Sequence, residues 1–229
     1  MKKKILLLVP ATAAMIALIS FCRGEEKKPG EEGAAKPDGI VLDPPQIEKG
    51  MPLMKALKNR KSSREFSAEK LSRTHLSELL WAADGVNRDD GKRTSPSAMN
   101  KHLVDVYVVL EDGIYIYNPG GHSIVPAATG DLRKLAGTQP FVHTAPLNLV
   151  YVADLDRLKG MPRQPAEGDM IAWACLEAGH KAQNVYLYCA SEGLAAVVRA
   201  FIDKDKFAEA VKLRPGQKVI YSQTVGHPK

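Results

Sequence analysis

The spacing of apolar positions changes along this chain, and the changes mark its elements. Leu53, Met54 and Leu57 fall on one side of a short helix predicted over Pro52 to Lys58, with Pro at a first-turn position. Ser72 is placed to cap a second helix, in which Leu76, Leu79, Leu80 and Ala83 recur at helical spacing until Gly85 ends it. Asn87 to Ser95 is then polar and dense in turn formers, which predicts a loop. Beyond it come β-rich runs. Leu103 to Leu110 and Ile114 to Tyr117 flank Glu111-Asp112-Gly113 as a hairpin, and Leu147 to Val152 reads as a buried strand. The longest helical pattern spans Gly168 to Ser191. Its predicted apolar face is Ile171, Ala174, Cys175, Ala178, Ala182, Val185 and Cys189, with Gly193 as the stop. A strand (Ala195 to Arg199), a short helix (Lys204 to Val211) and a last strand (Lys218 to Val225) complete the pattern. Helices and strands interleave without regular βαβ alternation or an internal repeat. That predicts an α+β sandwich with a mixed, largely antiparallel central sheet flanked by helices.

The N-terminus belongs to another class of segment. Lys2, Lys3 and Lys4 precede an uncharged, largely apolar run from Ile5 to Ser20, which reads as a secretory signal over residues 1–21. The run is short for a membrane span of about 20 residues. Leu18-Ile19-Ser20-Phe21-Cys22 resembles a lipobox, although Phe21 is bulky where a small residue is usual. A lipoprotein anchored through Cys22 and a free periplasmic chain both remain open. Residues 22–46, rich in Glu, Lys, Pro and Gly, are expected to be a disordered linker. Residues 47–229 are expected to form one domain, of a size that supports a substantial core.

Charge and cysteine content exclude more than they select. Three of the excess charges in the net +6 are lysines of the leader, and the remainder is too weak to argue for nucleic acid. Cys175 and Cys189 lie on one predicted helix, roughly 21 Å apart at about 1.5 Å per residue, which is out of disulfide reach. Both are expected in the core. The histidines His75, His102, His122, His143, His180 and His227 form no HExxH or other close ligand pair, no Cys pair has zinc spacing, and no metal is expected. No GxSxG elbow, GxGxxG or Walker loop is present. Ser67-Ala68-Glu69-Lys70 matches S-x-x-K but lacks the partner motifs of that chemistry, so chance explains it better.

Three segments carry candidate binding chemistry. Arg60-Lys61-Ser62-Ser63-Arg64-Glu65-Phe66 offers planar guanidinium forks, a point charge and short hydroxyl donors, a set that suits a phosphate. Alone, such a cluster is ordinarily a solvated basic face. Thr94-Ser95-Pro96-Ser97-Ala98-Met99-Asn100 combines small residues, over which backbone can approach a flat ligand, with an Asn that donates and accepts. Alone it is ordinarily a turn with an Asn cap. Gln183-Asn184 and the later Ser191 to Phe201 again pair polar groups with small residues, and ordinary helix-to-strand packing accounts for that equally well.

Taken together and in order, these segments resemble the nitroreductase superfamily, most closely its branch related to SagB-type dehydrogenases. The resemblance runs from about Pro52 to Pro228. Arg60 to Phe66 stands for an R-R-S-x-R-x-F-like segment with Lys61 at the second Arg, and Pro96 to Asn100 for P-S-x-x-N. Gln183 to Leu187 stands for Q-N-x-x-L, followed by Gly193-Leu194 and by Gly226-His227-Pro228 for G-x-P. The resemblance implies a nitroreductase-like α-β-α sandwich and an FMN site at a homodimer interface, lined by both subunits. It implies that Arg60 and Ser62, with Lys61 adjacent, hold the phosphate and that Arg64 reaches toward the ribityl chain and the N1/O2 edge. Pro96, Ser97 and Asn100 would meet the pyrimidine end, and the main chain at Arg199-Ala200, after Gly193-Leu194, would pass beside N5. Many members carry a basic residue beyond G-x-P to complete the phosphate site, whereas here only Lys229 remains. The implied activity passes electrons between a donor and a small nitro- or quinone-like acceptor by a ping-pong flavin cycle, without a side-chain catalyst. NAD(P)H would be a transient donor, although export takes the chain away from it. The alternatives are a SagB-like peptide azoline dehydrogenase and a non-catalytic surface module of the same fold.

Overall fold

The computed structural model describes residues 39–229. The leader predicted over residues 1–21 and most of the linker lie outside them. Seven strands form one sheet among the described residues: β1 (Ile40–Val41), β2 (Val104–Val109), β3 (Gly113–Asn118), β4 (Ser123–Thr129), β5 (Leu147–Asp154), β6 (Ala195–Arg199) and β7 (Gln217–Gly226). Their order is β1-β4-β3-β2-β5-β7-β6. Every pairing is antiparallel, so no strand supplies the parallel component that a mixed sheet would need. The helices are α1 (Leu53–Asn59), α2 (Arg73–Asp84), α3 (Glu167–Glu192) and α4 (Lys204–Ala210).

Strand alternation separates two cores. Val104, Val106 and Val108 of β2 and Leu147, Leu149, Tyr151 and Ala153 of β5 face α2 and α3. They meet Leu79, Leu80 and Ala83 of α2 and Ala174, Ala178, Ala182 and Val185 of α3. Tyr107 and Val109 of β2 and Val150 and Val152 of β5 point the other way, toward Phe207 of α4 and the short turns carrying Ala136 and Val142. The period of two in each strand thus builds the α-β-α sandwich. The helix signals hold at residue level. Ser72 Oγ accepts from His75 N–H at 3.0 Å, and Gly193 closes α3 in the left-handed region at φ 71°.

Three expectations need correction. Cys175, placed in the core by periodicity, is exposed, and Ile171 beside it is 37% exposed; α3 packs through Ala174, Ala178, Ala182 and Val185 instead. The hairpin continues into β4, which the apolar pattern did not announce. Its Pro126 sits opposite Tyr115, next to a bulge at Ile114/Tyr115 that accommodates a residue lacking an N–H donor. The expected linker also ends early, because Ile40–Val41 pairs with Ile124 and Ser123, and Leu42 is buried.

This strap is held by a small hydrogen-bonded group. His122 Nδ1 lies 2.8 Å from Tyr117 Oη, while Nε2 is 2.8 Å from Ser77 Oγ and 3.0 Å from Asp43 O. Ser77 Oγ donates to Asp43 O, and Arg73 Nε donates to Asp43 Oδ1 at 3.3 Å. Neutral His122 satisfies the set by donating at Nε2 and accepting the Tyr117 proton at Nδ1, whereas imidazolium would turn that hydroxyl proton away and place a charge in a partly buried site. Burial accordingly holds the His122 pKa below its ordinary value.

Lys181 on α3 has no solvent access. Its Nζ pairs with Asp84 of α2, lies 3.2 Å from Glu177 Oε1 and donates to Ser95 Oγ at 3.1 Å. Glu177 in turn accepts Leu103 N–H at 2.9 Å and Val104 N–H at 3.1 Å, joining α3 to the start of β2.

Two expectations follow. Lys181→Met leaves buried Asp84 with Arg93 as its remaining ion-pair partner and buried Glu177 with none among the described residues, and should lower stability by about 3–5 kcal/mol in urea unfolding. Stability that depends on neutral His122 is complete above about pH 6.5 and is lost as the pH falls through the lowered folded value. Hydrogen exchange at Leu42, whose N–H donates to His122 O at 2.9 Å, should accelerate there relative to core amides such as Val150.

Candidate functional site

The first segment lies along the free edge of β6. Ser63 N–H donates to Ala196 O at 3.0 Å, Phe66 bridges to Pro228, and Ser67 N–H donates to His227 O at 2.9 Å. Three stretches remote in sequence, 60–67, 193–198 and 226–229, therefore share one edge of the sandwich. The Phe66 ring anchors the run against Phe141, with centroids 5.5 Å apart.

Alternation along residues 60–65 divides the cluster. Lys61, Ser63 and Glu65 line a cavity of about 500 Å³, together with Tyr186, Gly193, Leu194, Pro228 and Lys229 among others. Arg60 and Ser62 turn to Tyr186 instead: Arg60 Cζ lies 5.4 Å from the ring centroid, and Ser62 Oγ is 2.9 Å from the hydroxyl. Arg64 is exposed. Among the described residues, Arg60, Lys61 and Arg64 form no ion pair with a carboxylate, whereas Arg73, Arg93, Arg133, Arg157 and Arg214 all do. The basic cluster is thus a set of unspent donors and not half of a surface ion-pair network.

The second segment is elsewhere. Pro96, Ser97 and Asn100 line neither this cavity nor the other three of note, and they follow Ser95, whose Oγ donates to Asp84 Oδ1 at 2.9 Å. Asn184 does not face a ligand site. Its Nδ2 donates to Ala82 O at 3.0 Å and Thr94 O at 3.4 Å, clamping this loop to α2, while Gln183 is exposed. From Asn184 to Gly193 is roughly 13 Å along α3. The segment carries backbone strain: Met99, Asn100 and His102 adopt φ of 51°, 55° and 48°. Such values cost about 1–3 kcal/mol each and cluster at ligand sites. Ser97 Oγ accepts His102 N–H at 2.6 Å and holds the turn, leaving the serine proton free.

The expectation for Arg199 concerned only its main chain, and its side chain turns into the core. Nε donates to Thr224 Oγ1 at 3.0 Å, Nη1 to Ala136 O at 2.9 Å and Nη2 to Asn148 Oδ1 at 3.0 Å. No carboxylate pairs with it among the described residues, and burial lowers its pKa to about 10. Ala200 and Phe201, which follow, are exposed.

Sequence reasoning missed Tyr186, which joins α1, α3 and β6. A signal was present, since Tyr186, Cys189, Ala190 and Gly193 fall at i, i+3, i+4 and i+7, one stripe of a helix.

Residues 57–227 match the profile of the Nitroreductase family. This chain belongs to the nitroreductase family. A Methanocaldococcus jannaschii protein assigned as a nitroreductase is 34% identical over 189 residues, which span 77% of this chain and 92% of that protein. A crystal structure of a Ralstonia eutropha JMP134 protein, assigned in the same way, aligns at TM-score 0.78 and 43% identity over 86% of this chain and 92% of its own. The Escherichia coli microcin synthetase complex contains a chain of similar fold, with TM-score 0.62 at 21% identity, covering 82% of this chain and 78% of that one. As a nitroreductase-family chain, the protein is an oxidoreductase.

The wall behind Arg199 has no spare volume. A Cβ at Gly137 would fall against Arg199 Nη1 and 3.1 Å from Phe201 O. Gly137→Ala should therefore destabilise by about 1–3 kcal/mol, read as a lower urea midpoint, and part of that loss should vanish when Arg199 is also shortened to alanine.

Proposed function

We propose that this nitroreductase-family chain is an FMN-dependent oxidoreductase that works as a homodimer, with the flavin phosphate held at the edge of β6. The observation that carries this reading is the run of unpaired cations and hydroxyls at Arg60, Lys61, Ser62 and Arg64, set beside Gly193-Leu194 and Pro228-Lys229. Phosphate oxygens accept from guanidinium and hydroxyl donors, so the donor set fits that group. Arg60 and Ser62 would hold the phosphate, with Lys61 and Lys229 adding positive charge from the cavity side. Arg64, exposed and uncommitted, would lie toward the N1/O2 edge, where a positive charge favours the reduced flavin.

Bound FMN would supply the redox chemistry, accepting electrons from a donor and delivering them to an acceptor in separate half-reactions. The protein's part is to bind, orient and tune. Pro96, Ser97 and Asn100 share no cavity with the basic cluster in one chain, so the reading requires a second copy to complete the site. A second copy would also cover the apolar side chains that α1 and α3 expose: Leu53 at 62%, Met54 at 77% and Leu176 at 62%. The small exposed Ala200 would leave the main chain open to a flat ring. The acceptor class proposed is a small nitro- or quinone-like molecule. NAD(P)H is the first donor to test, and an exported, periplasmic or lipid-anchored chain would draw on another.

Purified protein should be yellow, with flavin absorbance, and should run at dimer mass in light scattering. Arg60→Ala and Ser62→Ala should each weaken FMN binding by about tenfold or more in fluorescence titration. Arg64→Ala should weaken retention less and lower the flavin potential. Colourless protein that takes up no added FMN, or variants that bind it as wild type does, would refute the assignment.

A further inference from the structure

We infer that Tyr186 is the positioning residue that aims Arg60 and Ser62 at a phosphate, making the site select FMN over its dephosphorylated form, riboflavin; this rests on the flavin reading above.

Tyr186 lies on α3 two turns before Gly193, half-buried, with its hydroxyl directed at β6. Val198 N–H donates to that hydroxyl at 2.8 Å. Ser62 Oγ lies 2.9 Å away on its other side. A phenol has one proton, and with the amide occupying a lone pair that proton is available to Ser62 Oγ. Either hydroxyl can donate across this contact, and with the tyrosine donating, Ser62 accepts and keeps its own proton to donate outward to an anion. Arg60 is oriented by the same ring in a different way. Its Cζ sits over the Tyr186 ring, 5.4 Å from the centroid, so a cation–π contact steadies the guanidinium without an ion pair taking up its N–H donors. No carboxylate among the described residues competes for them. One side chain therefore orients both anion-binding groups without consuming either.

This arrangement discriminates by charge. A dianionic phosphate gains charge-assisted hydrogen bonds from an aligned guanidinium and hydroxyl, whereas the terminal hydroxyl of riboflavin gains little. A tyrosine that only bonded α3 to β6 would support both ligands alike. The effect on the ratio of the two affinities separates the roles.

The test is titration of the flavin-stripped full chain with FMN and with riboflavin. The proteins are wild type, Tyr186→Phe, Tyr186→Leu, Ser62→Ala and the Ser62→Ala/Tyr186→Phe double variant. Tyr188→Phe is the control, since the Tyr188 hydroxyl donates to Glu78 at 2.8 Å, outside the site. Tyr186→Phe is expected to weaken FMN about tenfold and riboflavin less than about twofold. Tyr186→Leu, which also removes the ring under Arg60, should lower the FMN preference further. The double variant should bind FMN as weakly as Ser62→Ala alone, because the tyrosine acts through the serine. Equal weakening of both flavins by Tyr186→Phe, or an unmoved ratio, overturns the role of Tyr186 while leaving the flavin reading intact. A wild-type chain that binds neither flavin overturns that reading, and this inference with it.

Discussion

A lysine sealed from solvent organises one end of this molecule. Lys181 has no exposed surface, and an ammonium in that position costs several kcal/mol unless opposite charge surrounds it. Asp84 and Glu177 supply that charge, and each is committed to a second task. Asp84 accepts from Ser95 at 2.9 Å and pairs with Arg93 at 2.7 Å, while Glu177 caps the N–H groups of Leu103 and Val104. The network therefore grips the chain on both flanks of the turn at residues 96–102. The left-handed conformations of Met99, Asn100 and His102 become tolerable because the ends on either side cannot relax. A buried charge in the core is what presents a strained, exposed segment at the surface.

The basic segment follows a different rule. Around Arg60 to Arg64, positive charge is left unneutralised at a sheet edge, while Arg73, Arg93, Arg133, Arg157 and Arg214 are each paired with a carboxylate. Leaving such groups unpaired costs little in water, because exposed ion pairs are worth at most about 1 kcal/mol. Backbone pairing of Ser63 with Ala196 and of Phe66 with Pro228, and the packing of the Phe66 ring on Phe141, hold the segment in place of charge. The fold can thus present a cationic strip whose donors are free for an anion. Arg199 is the inverse case, a cation withdrawn into the core and satisfied by neutral acceptors.

Much of the fold was legible in the chain. Ser72 and Gly193 bounded their helices by local chemistry, and strand periodicity separated the two faces of β2 and β5. Of the family motifs, those at 60–66, 193–194 and 226–228 meet at one sheet edge, whereas Pro96–Asn100 lies elsewhere. What stayed hidden depended on distant partners. β4 carries Pro126 and two alanines, so its strand character comes from β3 and a compensating bulge and not from its own propensity. Ile40–Val41 lies in composition that reads as linker, and becomes a strand only because β4 offers an edge and His122 a clamp. Cys175 matched the apolar stripe of α3, but period alone does not say how wide a stripe the sheet will cover.

The division is physical. Caps, turns and periods act over a few residues, so the sequence determined the helices, most strands, the α+β class and the order of the functional motifs. Which side chains within those motifs face one another depends on contacts between residues dozens to more than a hundred positions apart. Ser62 and Tyr186 are 124 residues apart in sequence, and Lys181 and Asp84 are 97 apart. No local rule reaches that far, and only the packed sheet decided that Ser62 meets Tyr186, that Asn184 serves the loop clamp, and that Arg199 turns inward.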